Sequence, residues 1–162
     1  FAGSQGNGDN GTTSRVLATF LTWLSEKRSP VFVVATANNI DYIPPEIIRR
    51  GRFDEIFFLG LPNLEERKSI FNVHLTKYRP DTCENFQISI LSEASKDFSG
   101  AEIEQSIINA MRLGFNKNRE FNTEDILTSI QSLIPLARTK NKELQTLQDW
   151  SNSGRITNAS KY

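Results

Sequence analysis

The stretch Val31-Phe-Val-Val-Ala-Thr-Ala-Asn-Asn39 decides the fold class of this sequence. Its first six residues are apolar or β-branched without interruption, which is typical of a strand covered on both faces in a parallel sheet. Polar side chains follow at Asn38 and Asn39, where this strand would end. Ligands of open α/β sheets bind at the carboxyl ends of the strands. The pattern therefore predicts an α/β fold with a ligand-binding edge beside Asn38.

A helix is predicted before this strand, from Thr13 to near Arg28. Apolar residues recur there at helical spacing, at Val16, Leu17, Phe20, Leu21 and Leu24. Ser29-Pro30 ends the helix, because the residue before a proline is pushed out of the α region. The preceding stretch, 1–11, holds four of the nine glycines and predicts a loop. No Lys-Ser or Lys-Thr follows it at the spacing of a phosphate-binding loop.

The sequence after this strand predicts one more strand and then helices. A short apolar run, Glu55–Leu59, predicts the second strand. Helices are predicted after Asn63 and after Ser99, each with a glutamate three residues later, as well as at Ile88–Ala94 and from Thr123. These patterns predict three parts: the end of an α/β subdomain at 1–62, a helical lid at 63–139, and a weakly helical or disordered tail at 140–162.

Composition excludes several classes of protein. The chain of 162 residues carries 19 Lys and Arg against 19 Asp and Glu, and this balance argues against a nucleic-acid clamp and a polybasic membrane anchor. A single cysteine, Cys83, excludes an internal disulfide. No apolar run approaches the roughly 20 residues of a membrane span. No cluster of residues with metal-ligand spacing is visible.

The segment from Thr36 to Asp54, TANNIDYIPPEIIRRGRFD, resembles the signature of the AAA+ ATPases. In that family a strand ends in an Ala-Thr-Asn-like tripeptide, and the chain runs on to Arg-x-Gly-Arg-Phe-Asp. Phe20-Leu-Thr-Trp-Leu24, leading into Val31–Asn39, is most similar to the plastid and cyanobacterial AAA+ reading-frame family. The resemblance covers residues 1–137. It implies an α/β fold, the C-terminal portion of a P-loop NTPase core with parallel strands, followed by an all-α helical lid.

The resemblance implies catalytic roles for three residues. Asn38 matches the sensor-1 residue, whose amide orients the attacking water and contacts the γ-phosphate; an asparagine in the turn after a strand is the plainer interpretation. Arg49 and Arg52 match the arginine fingers, which reach into the ATP site of a neighbouring subunit. A guanidinium suits this role because it stays charged and grips phosphate oxygens with two donors. Without Phe53 and Asp54 after it, the cluster would be read as a solvated surface.

Two further segments resemble the lid of the family. Asn72-Val-His-Leu75 fits a pattern that places a histidine against the adenine or ribose, although His74 fits a partly buried helix residue equally well. In Ser99-Gly-Ala-Glu102, the resemblance places Gly100 and Ala101 near the nucleotide, where small side chains leave room for a close backbone approach. A plain helix N-terminus explains the same two residues equally well.

The cofactor implied by the resemblance is ATP, with Mg²⁺ in a longer parent protein. The Gly-x-x-x-x-Gly-Lys-Ser/Thr loop and the Asp-Glu strand are absent from the 162 residues, and in the family both would precede Phe1. We therefore expect this chain to be inactive alone, a fragment whose magnesium ligands lie elsewhere. The glycine-rich loop of residues 3–11 would line the central pore of a hexamer.

The parent is expected to couple ATP hydrolysis to remodelling of a protein partner in a homo-oligomeric, hexameric ring. No nucleic-acid or membrane partner is expected. The compartment would be the plastid stroma or the cyanobacterial cytoplasm. The alternative is a non-catalytic helical interaction or regulatory module with an ATPase-like shape, and its support is the missing phosphate loop and the stretch at 140–162.

Overall fold

The structure, a computed structural model, describes residues 10–37, 45–48, 52–139, 141–151 and 157–160. The chain divides into two units, Phe1–Ile56 and Phe57–Tyr162, which are described separately below. The predicted division into 1–62, 63–139 and 140–162 stays a prediction. The predicted loop at the start of the chain lies, up to residue 9, outside the described residues.

The described part of the first unit contains helix α1, Asn10–Glu26, and the short helix α2, Pro45–Ile48. The predicted helix is confirmed, although it begins earlier than Thr13. Leu21 and Leu24 are its buried residues, whereas Val16 on the predicted apolar face is 64% exposed. Among the side chains of residues 15–26, the buried ones therefore lie in the last two turns of the helix.

The predicted strand at Val31–Thr36 is wrong for this structure, because the segment is extended without strand pairing. Phe32 is 93% exposed and Val34 is 75% exposed. A strand exists only through hydrogen bonds to a neighbouring strand, and none of the described residues supplies one to this segment. The sequence pattern correctly identifies an apolar segment. Such a segment becomes a strand only when it pairs with a neighbouring strand.

The second unit contains a parallel pair of short strands, β1 at Phe57–Phe58 and β2 at Thr157–Asn158. β1 confirms the core of the strand predicted at Glu55–Leu59, whereas β2 was not predicted. The backbone N–H of Ala159 donates to the carbonyl of Phe58 at 2.9 Å. The chain therefore returns to its own β1 after passing through all the helices of the unit.

In the described residues between the two strands there are six helices and a 3₁₀ turn. They are α3 (Leu64–Tyr78), the 3₁₀ turn (Cys83–Asn85), α4 (Ile88–Ala94), α5 (Gly100–Asn116), α6 (Thr123–Ser132), α7 (Leu136–Thr139) and α8 (Asn141–Ser151). The predictions of α3, α4, α5 and α6 are confirmed. None of the helices within the described ranges is long and apolar enough to cross a membrane.

Capping boxes begin three of these helices. At α3, the Glu66 backbone N–H donates to the Asn63 side chain at 3.0 Å and the Asn63 N–H donates to the Glu66 carboxylate at 2.8 Å. Ser99 and Glu102 make the corresponding pair at α5. Asn122 begins α6 in the same way. Each box satisfies backbone donors that the first helical turn leaves unpaired, so these starts are fixed by local sequence.

The core of the second unit lies between α3, α4, α5 and α6. Its buried side chains are Phe71, Leu75, Phe86, Leu91, Phe98, Ile103, Ile107, Ala110, Phe121, Ile126 and Ile130. The rings of Phe86 and Phe121 pack with their centroids 5.0 Å apart. Burial of this set supplies the main stabilisation of the unit, because apolar area removed from water is the dominant favourable term in folding.

The end of α5 folds back tightly over Gly114. Asn118 adopts a left-handed conformation with φ of 50°, and the Arg119 N–H then donates to the Gly114 carbonyl at 3.1 Å. This turn carries the backbone of Phe121 across the helix. A Cβ on Gly114 would lie 2.7 Å from the Phe121 nitrogen. The close backbone approach therefore requires glycine at this position.

Arg67 of α3 is a buried cation whose guanidinium binds backbone carbonyls. Only 8% of the residue is exposed. Its Nε donates to the carbonyl of Ser92 in α4, and its Nη1 donates to the carbonyl of Pro62, both at 2.9 Å. The two donors of one planar group thus join α3 to α4 and to the chain segment before α3.

We expect Arg67→Lys to lower the free energy of unfolding of this unit by about 1 kcal/mol, because a single ammonium cannot reproduce the planar pair of donors. The measurement is the midpoint of urea unfolding. The matched control is Lys68→Arg at the next position, where the side chain only pairs with Glu65 at the surface; it should shift the midpoint little. Equal midpoints for wild type and Arg67→Lys would contradict the assigned role of Arg67.

Candidate functional site

Two of the three candidate catalytic residues, Asn38 and Arg49, lie outside the described residues. Arg52 is described and is half-buried in the first unit. Its Nη1 donates to the backbone carbonyl of Glu46 in α2. This hydrogen bond uses one of the five N–H donors of the guanidinium. The role of Arg52 as a phosphate-binding finger stays a prediction.

The three candidate cofactor-binding residues lie on two neighbouring helices of the second unit. His74 is in the third turn of α3, and Gly100 and Ala101 begin α5. The Cδ1 atom of Ile70, one turn before His74, lies 3.8 Å from the Cβ position at Gly100. Residues four apart share one face of a helix, so the packing of α3 on α5 brings His74 to the same side as the start of α5.

The surroundings of Gly100 leave room at the start of α5. Its backbone lies outside the left-handed region, and an added Cβ would meet only an ordinary van der Waals contact with Ile70. Ala101 is exposed. The first intrahelical hydrogen bond is donated by Ile103 to the Ser99 carbonyl at 3.0 Å. The N–H groups of Gly100 and Ala101 therefore have no intrahelical acceptor, as in any first turn.

Glu102 closes this helix end. Its Oε2 accepts from the Ser99 N–H at 2.7 Å, and its Oε1 accepts from the Leu136 N–H at 2.7 Å. Burial opposes ionisation, but the backbone donors of Leu136 and Ser99 together lower the pKa of Glu102 below its ordinary value. Glu102 is therefore an ionised structural residue that links the start of α5 to the start of α7.

His74 lies against the carboxylate of Glu104, and this contact could not be predicted from the sequence. Its Nδ1 is 3.3 Å from Oε1 of Glu104, and the two side chains are 20% and 30% exposed. The same Oε1 accepts from the Tyr78 hydroxyl at 2.8 Å and from Lys77 Nζ at 3.1 Å. These two donors lower the pKa of Glu104. The spacing of His74 and Tyr78, one turn apart on α3, is the only sequence signal for this cluster.

The arrangement fits a nucleotide at the start of α5. The helix begins with small residues and free backbone donors, and an imidazole stands on the adjacent helix. Such a site suits the base and sugar part of a nucleotide, because it has hydrogen-bonding groups and close backbone access. Within the described part of the chain, no group of three or more His, Cys, Asp or Glu residues has the arrangement of a metal site.

Comparisons with known proteins identify relatives of this chain. Residues 1–61 match the family described as ATPase family associated with various cellular activities (AAA). The AAA domain-containing protein ycf46 of Guillardia theta is 59% identical over 160 residues, which are 99% of this chain and 32% of that protein. The protein of the same name from Trieres chinensis is 56% identical over 160 residues. The chain thus spans about a third of the length of these relatives.

A more distant relative has a different name. The proteasome-activating nucleotidase of Sulfurisphaera tokodaii is 35% identical over 104 residues, which are 64% of this chain and 26% of that protein. The family match and the mainly helical second unit with its parallel strands confirm the predicted fold class, a portion of a P-loop NTPase core followed by a helical lid. The chain therefore belongs to the AAA family of ATPases, among the AAA domain-containing ycf46 proteins.

Proposed function

We propose that this chain is part of an ATPase that couples ATP hydrolysis to remodelling of a protein partner. Membership of the AAA family supports the hydrolysis of ATP. The similarity to a proteasome-activating nucleotidase supports a protein substrate and a ring-shaped oligomer of identical subunits, which we propose to be a hexamer. In that assembly the α/β part is 1–62, the lid is 63–139, and the segment 140–162 is a tail.

The observation that carries the proposal is the packing of α3 on α5, in which Ile70 meets the Gly100 position and His74, one turn later, meets Glu104. In the proposed site, His74, Gly100 and Ala101 hold the base and sugar of ATP. Mg²⁺ neutralises phosphate charge when it is bound, and we propose that its ligands lie outside these 162 residues. For this reason we expect the isolated chain to hydrolyse no ATP.

Asn38, Arg49 and Arg52 are the proposed catalytic residues. Phosphoryl transfer needs an oriented water molecule and positive charge beside the γ-phosphate. The amide of Asn38 orients the water in its own subunit. The guanidinium groups of Arg49 and Arg52 supply the charge to the neighbouring subunit. Because a ring repeats one head-to-tail interface, each ATP site would combine Asn38 of one subunit with the arginines of the next.

Partners and compartment are also part of the proposal. The even balance of 19 basic and 19 acidic side chains supports neither a nucleic-acid partner nor a membrane partner. The similarity to ycf46 proteins supports the plastid stroma or the cyanobacterial cytoplasm.

The test uses two variants of the longer polypeptide that contains this chain. We expect Asn38→Ala and Arg49→Ala each to lose ATP turnover while ATP binding is retained, because neither residue is proposed to hold the base or sugar. An equal mixture of the two should recover about a quarter of wild-type turnover, because random assembly restores that share of the interfaces. The control is Glu93→Ala, an exposed change in α4.

Three results would contradict the proposal in whole or in part. Wild-type turnover in the Arg49→Ala protein would remove the finger role. A mixture as inactive as its components would place Asn38 and Arg49 in the same subunit's site. If the wild-type longer polypeptide hydrolyses no ATP, the alternative function, a non-catalytic interaction module, is favoured.

A further inference from the structure

His74 is the only histidine in the sequence, and one of its ring nitrogens is enclosed. Nδ1 is buried, and no described residue forms a hydrogen bond to it with acceptable angles. The polar atom beside it is Oε1 of Glu104, at 3.3 Å. Because the side chain is 20% exposed while Nδ1 is covered, its accessible surface belongs to its other atoms. The carboxylate of Glu104 is therefore the polar group that Nδ1 faces.

Glu104 is held in place and held ionised. Lys77 Nζ and the Tyr78 hydroxyl both donate to the oxygen that faces His74, at 3.1 Å and 2.8 Å. They lower the pKa of Glu104, and the carboxylate in turn raises the pKa of Lys77 and of Tyr78. Lys77 and Tyr78 thus stay protonated at neutral pH, and Glu104 presents a negative oxygen to the imidazole.

A negative oxygen beside Nδ1 selects one form of the neutral ring. A neutral imidazole carries its proton on one nitrogen and a lone pair on the other. A proton on Nδ1 puts a partial positive charge beside the carboxylate, whereas a lone pair there would be repelled by it. The Nδ1–H form is therefore favoured, and it leaves Nε2 as a hydrogen-bond acceptor.

We propose that Glu104 is a positioning residue that holds neutral His74 in the Nδ1–H form, so that Nε2 accepts a hydrogen bond from an amino or hydroxyl donor of the nucleotide. The second half of this inference rests on the proposed nucleotide site, and the first half does not. Glu104 acts through His74 and does not itself contact the nucleotide.

The first experiment reads the ring directly by NMR. In the ¹⁵N-labelled chain the single histidine gives one unambiguous set of imidazole signals, recorded at about pH 8.5, where an imidazole is neutral. We expect the Nδ1–H form to be the major species in wild type and the minor species in Glu104→Ala. Glu93→Ala makes the same change at an exposed position of α4 and should leave the wild-type pattern.

Folding of the variants is checked by thermal unfolding. Glu104 is half-buried with a side chain that is 30% exposed, and alanine favours helices, so Glu104→Ala should melt near wild type. If the variant is folded and its two ring forms are populated as in wild type, Glu104 does not position His74. A wild-type chain with Nε2–H as its major form would overturn the inference equally.

The second experiment measures ADP binding to the longer polypeptide. We expect Glu104→Ala to weaken ADP binding about fivefold, the effect of losing one hydrogen bond. In a His74→Ala background the same change should have no effect, because Glu104 acts only through the imidazole.

The two possible failures can be told apart. Unchanged ADP affinity in His74→Ala would remove His74 from the nucleotide site and would contradict the proposed function at this position. Weaker binding in His74→Ala but wild-type binding in Glu104→Ala would leave the nucleotide site intact and overturn the role of Glu104. An equal loss from Glu104→Ala with and without His74 would also overturn it.

Discussion

Gly114→Ala is expected to lower the free energy of unfolding of the helical unit by about 3 kcal/mol, because the added methyl group collides with backbone atoms. Its Cβ would lie 2.7 Å and 2.9 Å from the nitrogen and Cα of Phe121, and 3.0 Å from the Arg119 carbonyl oxygen. Backbone atoms cannot rotate away as a side chain can, so the turn after α5 must move. The measurement is chemical denaturation followed by circular dichroism.

Gly100→Ala is the matched control, since it makes the same substitution in the first turn of the same helix. There the new Cβ meets only Ile70 Cδ1 at 3.8 Å. We expect this change to raise the stability by about 0.5 kcal/mol, because alanine lowers the conformational entropy of the unfolded chain. Similar effects at the two glycines would contradict the close approach described at Gly114.

Asp125→Asn is expected to cost about 2 kcal/mol at neutral pH, because Asp125 is a buried carboxylate that accepts four hydrogen bonds from three residues. Arg119 binds both of its oxygens, at 2.6 Å and 2.9 Å. The Asn122 N–H and Lys117 Nζ also donate to it, at 3.1 Å and 3.2 Å. The amide keeps the size of the side chain and removes the charge that these donors stabilise.

The pH dependence follows from the pKa of Asp125. Hydrogen bonds from Arg119 first, and then from Asn122 and Lys117, lower it from 3.8 to about 2 against the opposing effect of burial. A lowered pKa in the folded state stabilises the fold above the ordinary value, and this contribution is lost as the pH falls from about 4 to about 2. The difference between wild type and Asp125→Asn should therefore shrink across this interval.

Asp81→Asn provides the control, since Asp81 is exposed in the loop after α3. It should leave both the stability and its pH dependence near those of wild type. A difference between wild type and Asp125→Asn that stays constant from about pH 6 to about pH 2 would show that the ionised form of Asp125 does not stabilise the unit.

The helices of this protein could be predicted from sequence because their signals are local. Asn63 with Glu66, and Ser99 with Glu102, each form a capping box within four residues, and apolar spacing marks the buried faces. The third box has the same signal in Asn122-x-x-Asp125. Residues that interact within one helical turn are close in sequence, so their pattern can be recognised there.

Strands and long-range contacts could not be predicted in the same way. The apolar stretch Val31–Thr36 resembles a strand, but a strand depends on a neighbour that its own sequence does not describe. β2 has no apolar pattern and forms only by pairing with β1. Arg67 reaches a carbonyl 25 residues away. Such contacts depend on how the helices and strands pack together. The spacing of residues within one segment does not encode this packing.

The candidate site likewise combines residues that could be identified from the sequence with a contact that could not. The resemblance to AAA+ ATPases identified His74, Gly100 and Ala101, and the structure brings the helices that carry them together. The contact of His74 with Glu104 joins residues of two different helices. It follows from the packing of α3 on α5, so no spacing within either segment predicts it.

The pairing of β1 with β2 has a consequence for biosynthesis. A ribosome releases Thr157–Asn158 about one hundred residues after Phe57–Phe58, whereas the core partners from Phe71 to Ile130 are all available earlier. The helical core can therefore condense while β1 still presents an unpaired edge, with Phe57 62% exposed even in the finished fold. The parallel pair can therefore close only once translation has passed Asn158.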